Sequence, residues 1–173
     1  MINMLKKIFV ILILLIGMPI FAETIKAGIS KIGSVPNSFF GSWRVVAKLD
    51  KQSGSAYFKP QAVDFWNLSR TGDVINLNNP FTGASATVKL DYVDGNLIRF
   101  TKSGDYDGNK KLTDTVDLKL VGDTFTGVNY ITLETFSIRD NSLIRKDTAI
   151  YILAGEKVSG TSITGIDYGA IKI

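Results

Sequence analysis

From Phe39 to Ala154 the chain is cut into short segments, rich in Val, Ile, Thr, Phe and Tyr, by clusters of Gly, Asn and Asp. This is the punctuation of strands and tight turns, and no window carries the 3.6-residue apolar period of a confident helix. Eight strands are expected: 41–51, 62–70, 74–78, 84–93, 97–102, 112–121, 125–136 and 143–154. Thr71-Gly72-Asp73, Asn79-Pro80-Phe81-Thr82-Gly83, Asp94-Gly95-Asn96 and Gly122-Asp123 supply residues that tolerate a positive φ or carry a preset one. Links this short join antiparallel neighbours.

Two segments show clear alternation. Ala84, Ala86, Val88, Leu90 and Tyr92 share a face opposite Ser85, Thr87, Lys89 and Asp91. Leu112, Val116, Leu118 and Leu120 lie opposite Thr113, Thr115, Asp117 and Lys119. One face is therefore buried and one wet. Sequential antiparallel strands with a single apolar face remove their edges by closing, so the expected fold is all-β, an antiparallel up-and-down barrel of about eight strands, with a β-sandwich as the alternative.

The first 22 residues read differently. Lys6 and Lys7 precede an unbroken apolar run from Ile8 to Ile16, followed by Gly17, Pro19 and the small Ala22. That order is a cleavable signal peptide, and its apolar stretch falls short of the roughly 20 residues of a spanning helix. The expectation is export, to the periplasm or the exterior, with membrane contact only through the signal before cleavage. A lipidated signal needs a Cys after the cut and the chain has none, which also removes disulfides. Residues 23–38 are expected to form an irregular lead-in, and residues 39–173 a single domain ending in a Gly-rich tail. Without Lys6 and Lys7 there remain 18 basic and 16 acidic side chains, scattered, with no basic run longer than Lys110-Lys111. This argues against a nucleic-acid partner.

The chain has no His. With Cys also absent, Ser-His-Asp and Cys-His catalysis and His-ligated metals fall away, so the expectation is a non-enzymatic protein without cofactor. Asp64, Asp114 and Glu134 stand within strands and read as solvated strand faces. Asp105, Asp107 and Asn109 match the first oxygen positions of a calcium loop, but Lys110 replaces the turn Gly and Val116 the bidentate acid. A polar hairpin is expected there, with no metal site. Phe65 and Trp66 are neighbours and must face opposite sides of a regular strand. Assigning Phe65 to the interior leaves Trp66 outward, where with Tyr57 it would meet a protein partner.

Phe40-Gly41-Ser42-Trp43-Arg44-Val45-Val46-Ala47 opens the first strand, and it resembles the Gly-x-Trp start of lipocalins and related calycin barrels. The resemblance implies that Trp43 closes the barrel bottom and that a basic residue near the last strand packs across it, with Arg145 the candidate and Arg139 its competitor. It implies a barrel that binds a small hydrophobic molecule. The helix that usually follows the last strand of a lipocalin has no counterpart in the Gly-rich tail. Alternation predicts a buried Trp43 with Arg44 and Lys48 outward, and an interior lined by Trp43, Val45, Phe65, Val88, Leu90, Tyr92, Val116 and Leu118. The first functional expectation is thus an exported binding protein. The alternatives are a structural or interaction protein of the cell envelope with a filled core, and a small outer-membrane barrel.

Overall fold

The computed structural model describes residues 31–158. The signal segment, the lead-in up to residue 30 and the Gly-rich tail from residue 159 lie outside the described residues. Two short 3-10 helices, Lys31–Ser34 and Asn37–Phe39, lead into eight strands: β1 Gly41–Ser53, β2 Gln61–Thr71, β3 Val74–Asn78, β4 Ser85–Asp94, β5 Leu97–Tyr106, β6 Lys110–Val121, β7 Thr124–Phe136 and β8 Leu143–Lys157. Each strand pairs with the next, antiparallel, and β8 returns to β1, so the sheet closes as an up-and-down barrel and the sandwich alternative falls. The β5–β6 strands run longer than expected and meet at Asp107-Gly108-Asn109. Asp107 and Gly108 both take positive φ there, as a tight hairpin turn demands.

One end of the barrel is solid. Trp43 is fully buried, as alternation predicts, and its indole Nε1 donates to the carbonyl of Phe39 at 2.9 Å. The Phe125 ring lies 5.1 Å from Trp43 and 5.9 Å from Trp66, and Trp66 meets Phe100 edge-on at 6.2 Å. Phe39 adds a further contact to Phe100. Each such ring buries roughly 150 to 250 Å², worth on the order of 4 to 6 kcal/mol. The plug needs glycine where backbone and ring touch: a Cβ on Gly155 would sit 2.1 Å from the Phe125 ring. Gly41 has φ +119, a conformation that favours glycine, so the chain can turn from the 3-10 helix into β1 just ahead of Trp43.

Several expectations need correction. Arg44 sits on the outer face of β1, as alternation predicts, yet it is only 4 % exposed, and its outer-face neighbours Val46 and Phe65 are buried too. Its Nε has no hydrogen-bond partner among the described residues. Lys48 is exposed. In β2 the assignment of Phe65 and Trp66 is reversed. Trp66 joins the core beside Leu68, two positions on, while Phe65 lies outside beneath the Phe81 ring at 4.7 Å. In β4 the register shifts between Leu90 and Tyr92, which is a β-bulge at Asp91. The extra residue flips the alternation: Val93 packs on the core, and Tyr92 turns out, 49 % exposed.

Candidate functional site

The other half of the barrel holds open space, bordered on one side by a pair of small residues. Ala47 of β1 faces Ala62 of β2 across the sheet. Together they leave the wall thin where the plug end carries tryptophan. The cavity between has a volume of ≈ 410 Å³. Val45, Trp66, Phe100, Val116 and Leu153 line it toward the plug, with Leu77, Leu112 and Ile131 farther along the walls.

The loop between β1 and β2 folds across this end. Asp147 of β8, fully buried, accepts hydrogen bonds from the amides of Ser55 at 2.7 Å and Ala56 at 3.1 Å, and from Arg145 Nε at 2.7 Å. Gly54, at φ +98, allows this approach, since a Cβ there would meet the Asp147 carboxylate at 2.2 Å. The Tyr151 hydroxyl donates to the carbonyl of Lys59 at 2.9 Å, and the Leu49 amide to that of Pro60 at 2.8 Å. Tyr57, Phe58 and Lys59 are thereby held against the cavity. Burial pushes the Asp147 carboxyl up, but the Ser55 amide, the Arg145 guanidinium and the Ala56 amide together hold it below the usual carboxylate range. Burial and the neighbouring Tyr57 raise the Tyr151 phenol.

Arg145 is therefore engaged at the hollow end and cannot cross Trp43. Lys157, at the far end of the same strand, takes that place. Its Nζ lies 5.4 Å from the Trp43 ring centroid and donates to the carbonyl of Ser38 at 2.8 Å. Strand geometry explains the exchange, because Lys157 is the residue in register with Trp43. Arg139 lies in the exposed β7–β8 loop.

The cavity wall also carries a polar group. Lys102 and Asp114 are partners across β5 and β6, and Lys102 Nζ lies 3.2 Å from Asp114 Oδ2. Asn129 of β7 donates through Nδ2 to Asp114 Oδ1 at 3.3 Å. Asn129 Oδ1 is buried and has no hydrogen-bond partner among the described residues. All three side chains line the cavity. Asp64, a fourth polar lining residue, is engaged by the Trp66 indole at 3.0 Å, the Phe65 amide at 2.9 Å and the Asn79 amide group.

The wall opens sideways between β4 and β5. Their pairing ends at Lys89 and Thr101, and beyond it Ser85–Val88 and the β5 segment from Lys102 separate. A second space of ≈ 320 Å³ lies in this gap, beside Ala86 and Gly104. It shares Lys102, Tyr106, Leu112 and Asp114 with the main cavity, so the gap gives lateral access to the polar group.

Of the eight residues expected to line the interior, Val45 and Val116 reach the cavity. Trp43, Val88 and Leu118 are buried in the packed core, with Leu90 partly buried against it. Phe65 and Tyr92 face out. Asp114, expected on a solvated strand face, is buried on the inner wall, and parity marks it, since it falls between Leu112 and Val116 on the apolar face; Lys102 and Asn129 escaped the sequence reading, although Lys102 lies two residues from the buried Phe100. The calcium-like string is the β5–β6 hairpin, where Asp107 pairs with Lys110 at 2.7 Å and Asn109 donates to the carbonyl of Phe136. Compared with family models, with curated proteins and with solved structures, the chain gives no match.

Proposed function

We propose that this is an exported, non-enzymatic binding protein that holds a small, largely apolar molecule in the hollow half of a lipocalin-like barrel. The observation that carries the reading is the ≈ 410 Å³ cavity, lined mainly by aliphatic and aromatic groups beside a solid aromatic plug. Its volume is within the range of small-molecule sites, and the lateral gap supplies a route in. Trp43 at the closed end, with a basic residue of the last strand over its ring, is what the lipocalin resemblance leads one to look for. Export rests on the order of residues in the first 22 positions. A guest burying about 200 Å² of apolar surface gains on the order of 5 kcal/mol before association costs, which sets weak to moderate affinity.

The test is titration of the purified protein with N-phenyl-1-naphthylamine, a neutral dye that brightens in apolar surroundings. Saturable emission at one site per chain is expected, and a linear rise without saturation refutes the reading.

A second reading, a protein that docks to another envelope component, draws on the apolar side chains of the loops around the hollow end. Tyr57 is 81 % and Ile138 89 % exposed there, with Phe81 and Tyr106 also open. The outer-membrane alternative fits less well, because the outer wall carries the Arg99–Asp117 and Lys89–Asp91 ion pairs where a lipid-facing band would be apolar.

A further inference from the structure

We infer that the outer face of β1 and β2 around Arg44 and Val46 is a docking surface for the chain's own C-terminal segment, residues 159–173, with Asp167 supplying a carboxylate to Arg44. The starting point is a contrast along the outer wall of the barrel. Ile152, which stands outward from β8, is 39 % exposed, and Leu97 of β5 and Tyr130 of β7 are exposed as well. Val46, which stands outward from the adjoining β1, is 2 % exposed, and its neighbour Arg44 is as deeply buried. Side chains of a pleated wall alternate between its two faces, so an outward one leaves water only beneath a further layer of chain. The Phe81 ring is part of that layer where it meets Phe65, the residue beside Arg44 in β2.

The charge on Arg44 decides what the rest of the layer must bring. A guanidinium stays protonated, and one taken out of water calls for a carboxylate. Among the described residues no ion pair reaches Arg44, and its Nε has no hydrogen-bond partner. Glu156, its register partner in β8, is exposed and does not pair with it. Residues 159–173 hold one acidic side chain, Asp167, among Ile163, Ile166, Tyr168 and Ile171, a composition that complements Arg44 together with Val46, Val63 and Phe65. In an extended run Asp167 shares its face with Gly165 and Gly169, which have no side chain to hold its carboxylate off the wall. The segment also starts in the right place. The Val158 amide donates to the carbonyl of Ser42 at 2.8 Å, two positions before Arg44 on the same strand. Asp167 follows nine residues later, and at up to about 3.3 Å per residue this reach allows the chain to turn and come back over β1. Residues 23–30 are worse placed, since they join at Lys31, whose 3-10 helix packs against β4, three strands from β1.

The chain has no Cys, so a single introduced thiol reports on this face. The experiment compares the rates at which Val46→Cys and Ile152→Cys, each in the full-length protein, react with Ellman's reagent. Val46→Cys is expected to react about tenfold more slowly or less, because its thiol is reached only when the layer opens. Ending the chain at Val158 should bring the two rates within about twofold, with the rate at Ile152→Cys and the circular dichroism unchanged. In the full-length chain, Asp167→Lys sets like charge against Arg44 and should speed labelling of Val46→Cys severalfold, and adding Arg44→Glu should slow it again. This charge exchange decides the matter if the shortened chain does not fold. Equal rates for the two thiols in the full-length protein overturn the inference. So does slow labelling of Val46→Cys that persists in the shortened chain or in Asp167→Lys, which would assign the cover to another segment.

Discussion

Substituting Ala47 by Leu puts three more carbon atoms into the hollow half of the barrel, and its effect on stability has a sign that depends on whether that space is empty. Ala47 points inward between Val45 and Leu49, faces Ala62 on one side and Leu153 on the other, and lines the cavity. Burying three methylene-sized groups gains about 2.4 kcal/mol, from which fixing a leucine side chain subtracts about 0.5 to 1 kcal/mol. The net gain is about 1.5 to 2 kcal/mol. For the roughly 130 described residues, at about 2.1 cal/mol/K of unfolding entropy per residue, that converts to a rise in Tm of about 5 to 7 °C. The same substitution takes space from a guest and should weaken dye binding severalfold. Scanning calorimetry of both proteins at one pH and concentration is the assay. A Tm lowered by several degrees is what overpacking by about 1 to 3 kcal/mol produces, and it would refute the claim of free volume beside Ala47.

Trp43→Ala removes the centre of the aromatic plug and should cost about 3 to 5 kcal/mol, read as a fall in the denaturation midpoint with an unaltered m-value. An unchanged midpoint would contradict the burial. Asp147 gives a pH dependence. Its folded pKa lies below the unfolded value near 3.9, so the stability it contributes is present above about pH 4 and is lost as pH falls through the depressed folded value. Asp147→Asn should lower Tm at pH 7 and flatten its decline below about pH 4, measured by thermal melts across pH. Asp107, held low by Lys110, and Asp140, held low by Ser137 and Ser142, leave a residual slope. An acid limb as steep as that of the unmodified protein would refute the role of Asp147.

The barrel was legible in the sequence because turn chemistry is local. Each Gly, Asn or Asp cluster marks a strand end by its own backbone preference, and all eight strands appear at the expected places within a few residues. Which side chains face in was legible only where the pleat is regular. The bulge at Asp91 inverted Tyr92, and nothing in the residues around it announces the extra position. At Phe65 and Trp66 parity carries the answer, since Leu68 shares a face with Trp66 and is buried. The basic residue over Trp43 depends on β1–β8 register, which sequence order does not reveal, so Arg145 stood where Lys157 belongs. The cavity was illegible for a related reason. It arises from the meeting of Ala47 with Ala62 and from the loss of pairing beyond Lys89, both of which are properties of neighbouring strands together.

The β1–β8 seam joins residues about a hundred positions apart, from Trp43 with Lys157 to Ser53 with Thr148. The other seven seams are hairpins, each able to zip from its own turn on the microsecond scale. Closure therefore carries nearly all of the long-range chain entropy of folding in one step, and until it occurs both terminal strands are open edges. The residues that make the seam, Trp43 and Lys157, are also those that clasp the 3-10 segment through Phe39 and Ser38. Ring closure and the sealing of the barrel floor are thus a single event, which ties the slowest contact in the chain to its largest aromatic burial.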